Sequence, residues 1–101
     1  MTIRLTIRTA IWRSHIAQIV NAVDGLVPVI KGNGYGFGRT WLAEFAAELT
    51  DTVAVGTIHE LAGLPRSVTP VVLTPTLVPP AAVSGQATPI LTVGNAEHID
   101  V

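Results

Sequence analysis

The sequence predicts an α/β fold in which a parallel sheet is built from strands joined by helices. Short apolar runs rich in β-branched residues recur near residues 26, 52, 71 and 90. Between them lie segments whose apolar residues follow helical spacing, bounded by glycine, proline or capping residues. Charge is also scarce: 13% of residues are charged and 49% hydrophobic, whereas soluble domains average about 25% charged. Parallel strands are covered on both faces, so they read as continuous apolar runs rather than alternations.

Residues 2–8 set Thr2, Arg4, Thr6 and Arg8 against Ile3, Leu5 and Ile7. That period of two predicts a half-exposed strand standing apart from the buried ones. Thr9 is positioned to cap a helix from Ala10, with Trp12, Ile16, Ile19, Val20 and Val23 on its apolar face. Asp24-Gly25 ends it. Leu26 to Ile30 predicts the first buried strand, which runs directly into Lys31 and Gly32-Asn33-Gly34-Tyr35-Gly36-Phe37-Gly38. A second helix is expected over Arg39–Leu49, with Trp41, Leu42, Phe45, Ala46 and Leu49 turned inward. Val53 to Gly56 is the next strand. Thr57 and Glu60 have capping-box spacing and open a short helix that Gly63 and Pro65 stop. Val71 to Leu73 and Ile90 to Val93 complete the strands. The proline-rich stretch 74–89 leaves room for two helical turns after Pro80, and Asn95 can cap a last helix.

Such spacing suits a (β/α)8 barrel or an open doubly wound sheet. A barrel needs about 250 residues, and about four strands within 101 residues correspond to the N-terminal part of a TIM-type barrel. Residues 1–9 are then a separate N-terminal strand and residues 10–101 an incomplete barrel domain. The low charge fits surface that is covered by something else. No apolar run approaches the roughly 20 residues of a membrane span, and no signal-peptide core is present. A net charge of -1 without a basic cluster gives nucleic acid no electrostatic footing. Zero cysteines fit a cytoplasmic setting.

Chemistry concentrates at Lys31, the only lysine. Sites in α/β folds are built at the C-terminal ends of parallel strands. Desolvation there favours a neutral amine, which is the nucleophile toward an aldehyde. The glycines that follow let backbone amides approach a ligand, and Tyr35 adds a hydroxyl. By itself this loop equally fits a tight strand-to-helix turn with no ligand. Lys31 equally fits a strand-end lysine whose amine reaches solvent.

The run Val29-Ile30-Lys31-Gly32-Asn33-Gly34-Tyr35-Gly36-Phe37-Gly38 resembles the pyridoxal-phosphate attachment motif of alanine racemases, V-x-K-A-[DN]-[AG]-Y-G-H-G. Val29, Lys31, Asn33, Gly34, Tyr35, Gly36 and Gly38 match, and Ile30 occupies the free position. Ala54-Val55-Gly56-Thr57-Ile58-His59-Glu60 resembles the family's next strand and helix start, of the form AVAT-x-EE. Pro70–Leu73 and Pro89–Val93 resemble the strands that follow.

The resemblance implies a pyridoxal 5'-phosphate-dependent amino-acid racemase acting on a small amino acid. Lys31 would be both Schiff-base lysine and acid/base group, and Tyr35 would contact the cofactor phosphate. It also implies a homodimer for the intact protein, whose second base comes from the partner's C-terminal domain. The chain alone is therefore expected to be inactive. The strand at residues 2–8 would belong to a β-domain. Two positions depart from the motif: Gly32 stands for its alanine and Phe37 for its histidine. Another pyridoxal-phosphate enzyme of the same fold, such as a decarboxylase, or a non-catalytic cofactor-binding protein shares the same lysine loop. His15, His59 and His98 lack metal-ligand spacing, and Trp12, Trp41 and Phe45 read as core.

Overall fold

The structure, a computed structural model, describes residues 2–82 and 84–101. Its elements, in chain order, are helix α1 (Thr9–Ala22), helix α2 (Arg39–Leu49), strand β1 (Thr52–Val55), a 3-10 helix (Ile58–Gly63), strands β2 (Thr69–Val72) and β3 (Ile90–Leu91), and a 3-10 helix (Ala96–Asp100). The strands form one parallel sheet in the order β1-β2-β3. This is an α/β arrangement of three parallel strands with helices, consistent with part of a TIM-type barrel domain.

A place beside β1 belongs to residues 26–30, where the expected first strand is reduced to a single parallel bridge between Val29 and Ala54. Two hydrogen bonds make it: Ile30 N–H to Ala54 O at 3.0 Å and Ala54 N–H to Pro28 O at 2.8 Å. The preceding rung would need an N–H from Pro28, which has none. The following rung would join Gly32 N–H to Gly56 O, but Gly32 donates to Glu60 and Gly56 accepts from Thr74. The ladder is thus cut at both ends, and three strands stand where about four were expected.

Register divides the sheet into two faces. Ala54 pairs with Val71 and Val71 with Ile90, so Val29, Ala54, Val71 and Ile90 form one row. Side chains one residue along, Ile30, Val55, Val72 and Leu91, point to the opposite face. There Ile30, Val53, Val55 and Val72 pack against Ala43 and Ala46 of α2 and against Leu61, Leu64 and Val68. The core therefore sits between the sheet and α2. Across the sheet, Val29 and Ile90 remain 38% and 53% exposed.

Helix α2 has the bounds that its spacing predicts, though the residues it buries are Ala43, Phe45 and Ala46. Trp41 stays 40% exposed, because small Ala43 is what permits close approach to the sheet. Helix α1 buries no residue fully. Its apolar face (Trp12, Ile16, Ile19, Val20) borders a cavity of about 220 Å³ shared with Leu26, Ile30 and α2. Its cap differs from expectation. Trp12 N–H bonds Arg8 O at 3.0 Å, so the helix starts at Thr9 and Thr9 caps nothing.

Residues 2–8 form no strand; Ile3 and Leu5 are 91% and 72% exposed. A strand exists only through a partner's hydrogen bonds, and no described segment pairs with this one. Met1, part of the expected N-terminal strand, lies outside the described residues. So does Val83, within the helical turns expected after Pro80; residues 80–82 and 84–89 are not helical. The short helices after β1 and β3 are 3-10 rather than α. Both carry capping boxes, Thr57 with Glu60 and Asn95 with His98. No helix among the described residues is long and apolar enough to cross a membrane.

Candidate functional site

Lys31 leaves the sheet at its C-terminal end, two residues beyond Val29 and so on the face that α2 does not cover. It is exposed and has no ion-pair partner among the described residues. Gly56, at the same end of β1, lies directly beside it. A Cβ on Gly56 would stand 3.2 Å from Lys31 Cβ and 3.0 Å from Glu60 Oε2. The missing methyl leaves room for both the lysine stem and the carboxylate.

The loop after Lys31 is a chain of internal turns. Gly34 N–H bonds Lys31 O at 3.2 Å, Phe37 N–H bonds Gly34 O at 3.1 Å and Gly38 N–H bonds Asn33 O at 3.0 Å. The Asn33 side chain accepts from Gly36 N–H at 3.1 Å. Tyr35 stands at φ 57, an uncommon conformation for a residue with a side chain, and is 59% exposed. Lys31 and Tyr35 therefore stand on successive turns of one solvent-facing loop. Gly32 stands at φ 66, where the motif's alanine would be strained by about 1–2 kcal/mol.

Phe37 has a packing role. Its ring lies 5.4 Å from Trp12 and 6.4 Å from Trp41, both stacked. Trp12 continues the contacts to Phe45 at 4.9 Å, over which the Arg13 guanidinium sits at 4.4 Å. The far end of the lysine loop is thus fastened to both α1 and α2.

Glu60 is the residue whose full role sequence reasoning missed. Capping-box spacing identifies one use, Oε2 accepting from Thr57 N–H. Its other oxygen, Oε1, accepts from Gly32 N–H, and Arg39 Nη1 approaches that oxygen to 3.9 Å. Arg39 also donates to Gly32 O at 3.1 Å. Glu60 is 8% exposed. Burial raises its pKa, but the backbone N–H groups of Gly32 and Thr57, the Thr57 hydroxyl and the Arg39 charge outweigh it, leaving the carboxyl below its usual value. No local spacing announces a contact across 28 residues.

At the same end of the sheet, Thr57, Ile58, His59, Thr74, Pro75, Thr76 and Val78 line a cavity of about 250 Å³. A larger cavity, about 650 Å³, opens at the opposite end of the strands near Asp24, Glu48 and Asp51, away from Lys31. His98 is a capping residue, its Nδ1 accepting from Gly94 and Asn95 N–H at 3.0 and 3.1 Å. His15 lies exposed on α1. No three metal-ligating side chains converge among the described residues.

Comparison with curated proteins and with solved structures found no match. A family model did match, over residues 7–100, and its description is alanine racemase, N-terminal domain. Members of this family typically bind pyridoxal phosphate and are enzymes that depend on it. With nearly its whole length inside that match and its lysine loop at the C-terminal end of a parallel sheet, the chain belongs to the alanine racemase N-terminal domain family.

Proposed function

We propose that Lys31 is the attachment lysine for pyridoxal phosphate in an amino-acid racemase acting on a small amino acid. One observation carries the reading: Lys31 stands at the C-terminal end of the sheet with the glycine loop following at once, its amine without an ion-pair partner among the described residues. The donor set suits the cofactor. A primary amine meets its aldehyde, the hydroxyl of exposed Tyr35 on the same loop suits its phosphate, and Gly56 keeps the lysine stem clear of a Cβ.

Bound at Lys31, pyridoxal phosphate supplies the aldehyde and a ring that draws electron density from the substrate Cα. The Lys31 amine, released when the substrate's own amine takes its place, would take up and return the proton at that carbon. Tyr35 donates to a phosphate oxygen and fixes the cofactor's distal end. The stacked Phe37 fixes the far end of the loop that carries both. By a two-base route, a stereocentre is inverted with a proton acceptor on one face and a donor on the other. Lys31 serves one face; in our reading a partner subunit of a homodimer serves the other, so this chain alone does not racemise.

The test is an absorbance spectrum of the chain with added pyridoxal phosphate, followed by borohydride and mass mapping. The expected result is a borohydride-stable adduct on Lys31 that Lys31→Ala lacks. Identical spectra and labelling for wild type and Lys31→Ala would refute the assignment.

A further inference from the structure

The peptide after Lys31 is gripped on both of its polar groups. Gly32 N–H donates to Glu60 Oε1 and Gly32 O accepts from Arg39 Nη1 at 3.1 Å. The two gripping side chains face each other, with Arg39 Nη1 at 3.9 Å from Glu60 Oε1. Both are anchored elsewhere. Glu60 is tied to Thr57 N–H at the start of its 3-10 helix. The Arg39 guanidinium lies over the end of the same helix, with Nη2 at 3.7 Å from where a Gly63 Cβ would be.

We propose that Arg39 and Glu60 are positioning residues that clamp the Gly32 peptide and so fix where the Lys31 amine points. This rests on the reading of Lys31 as the attachment lysine. A capping box needs one carboxylate oxygen; Glu60 directs its second oxygen to a residue 28 positions away, immediately after the lysine. The grip stands where a ladder rung to Gly56 would otherwise be, since Gly56 O accepts instead from Thr74 N–H. Val29 is held by a single bridge. Beyond Ile30 N–H, the side-chain grip therefore takes over from the sheet in holding the strand end. Holding a peptide plane restricts the backbone torsion between the Lys31 Cα and its carbonyl carbon, and with it the direction of the side chain relative to the sheet. Gly56 has no Cβ, so the carboxylate and the lysine stem occupy the space beside it together. Loosening the clamp spreads Lys31 over orientations of which few meet the cofactor, and apparent affinity falls with the competent fraction.

The experiment titrates the full chain with pyridoxal phosphate, traps with borohydride and quantifies labelling of Lys31 by mass mapping. Wild type is compared with Glu60→Gln, Glu60→Ala, Arg39→Met, Lys31→Ala and the core variant Val68→Ala. The concentration for half-labelling is expected to rise about tenfold in Glu60→Ala, corresponding to a competent fraction cut to about a tenth. Glu60→Gln keeps a carbonyl acceptor and should recover part of that loss, and Arg39→Met should fall between. Val68 is 1% exposed and lies in the core, so Val68→Ala lowers stability without touching Gly32 and should leave half-labelling unchanged at temperatures where it is folded. If Val68→Ala matches Glu60→Ala at equal loss of stability, the effect is general destabilisation and the clamp is overturned. Lys31-specific labelling that is unchanged in the Glu60 and Arg39 variants overturns the clamp while leaving the lysine assignment intact. Equal labelling of wild type and Lys31→Ala overturns both.

Discussion

Phe37 stands where the family motif has histidine, and the structure makes its removal a measurable loss. The ring is half-buried and stacks on Trp12 at 5.4 Å and on Trp41 at 6.4 Å. Truncating a fully buried phenylalanine to alanine costs about 3–5 kcal/mol. At half burial the expected loss is about 2 kcal/mol, much of it from its two aromatic pairs at about 0.5–1.5 kcal/mol each. A small protein has a urea dependence of about 1.3 kcal/mol per molar, so the midpoint of Phe37→Ala should fall by about 1.5 M. The natural assay is tryptophan fluorescence during urea unfolding. The chain's two tryptophans are the two partners of Phe37, so emission reports on the contact itself as well as on global unfolding. Phe37→His retains a planar ring and should lose about half as much. A midpoint shift below about 0.3 M in Phe37→Ala, with an unchanged emission maximum, would refute the view that this ring fastens the lysine loop to α1 and α2.

Glu60 gives a pH signature. Its carboxyl lies below the ordinary value of 4.5 in the folded chain, so the unfolded chain binds a proton more readily. Its stabilising contribution is full above the unfolded value and is lost as pH falls through the lower, folded one. Urea midpoints measured from neutral pH downward should drop more steeply in wild type than in Glu60→Gln; parallel curves would contradict this. Gly56→Ala should press its methyl on Glu60 Oε2 at 3.0 Å and Lys31 Cβ at 3.2 Å, lowering stability by about 1–3 kcal/mol and weakening pyridoxal-phosphate labelling of Lys31. A variant as stable and as well labelled as wild type would show the gap beside Lys31 to be incidental. Asn95→Ala removes the side chain that accepts from Glu97 N–H at 3.0 Å. That should cost about 1 kcal/mol, read as faster amide exchange at Glu97 without change at Gly32.

Local chemistry was legible without coordinates. The parallel α/β class, the bounds of α2, the capping box at Thr57 and Glu60, and the turn at Gly25 each depend on residues within a few positions of one another. The motif around Lys31 is equally local, and the family match over residues 7–100 agrees with it. What depended on a distant partner was less legible. The alternation at residues 2–8 reads as a strand, yet no described segment pairs with it. Leu26 to Ile30 reads as a strand, yet Pro28 and the diversion of Gly32 reduce it to one bridge. Trp41 reads as core, yet Ala43 takes the buried place.

Sequence by itself singled out the residues proposed to carry the chemistry, because an amine, a hydroxyl and a run of glycines are properties of residue type and spacing. Tertiary structure decided how that amine is held. The Glu60 carboxylate reaches Gly32 across 28 residues, and Arg39 closes on the same peptide from the start of α2. The end of β1 and the Val29 segment lie side by side in parallel only because the chain between them crosses over through α2. No pattern along the chain encodes that meeting; it exists only once the sheet has formed.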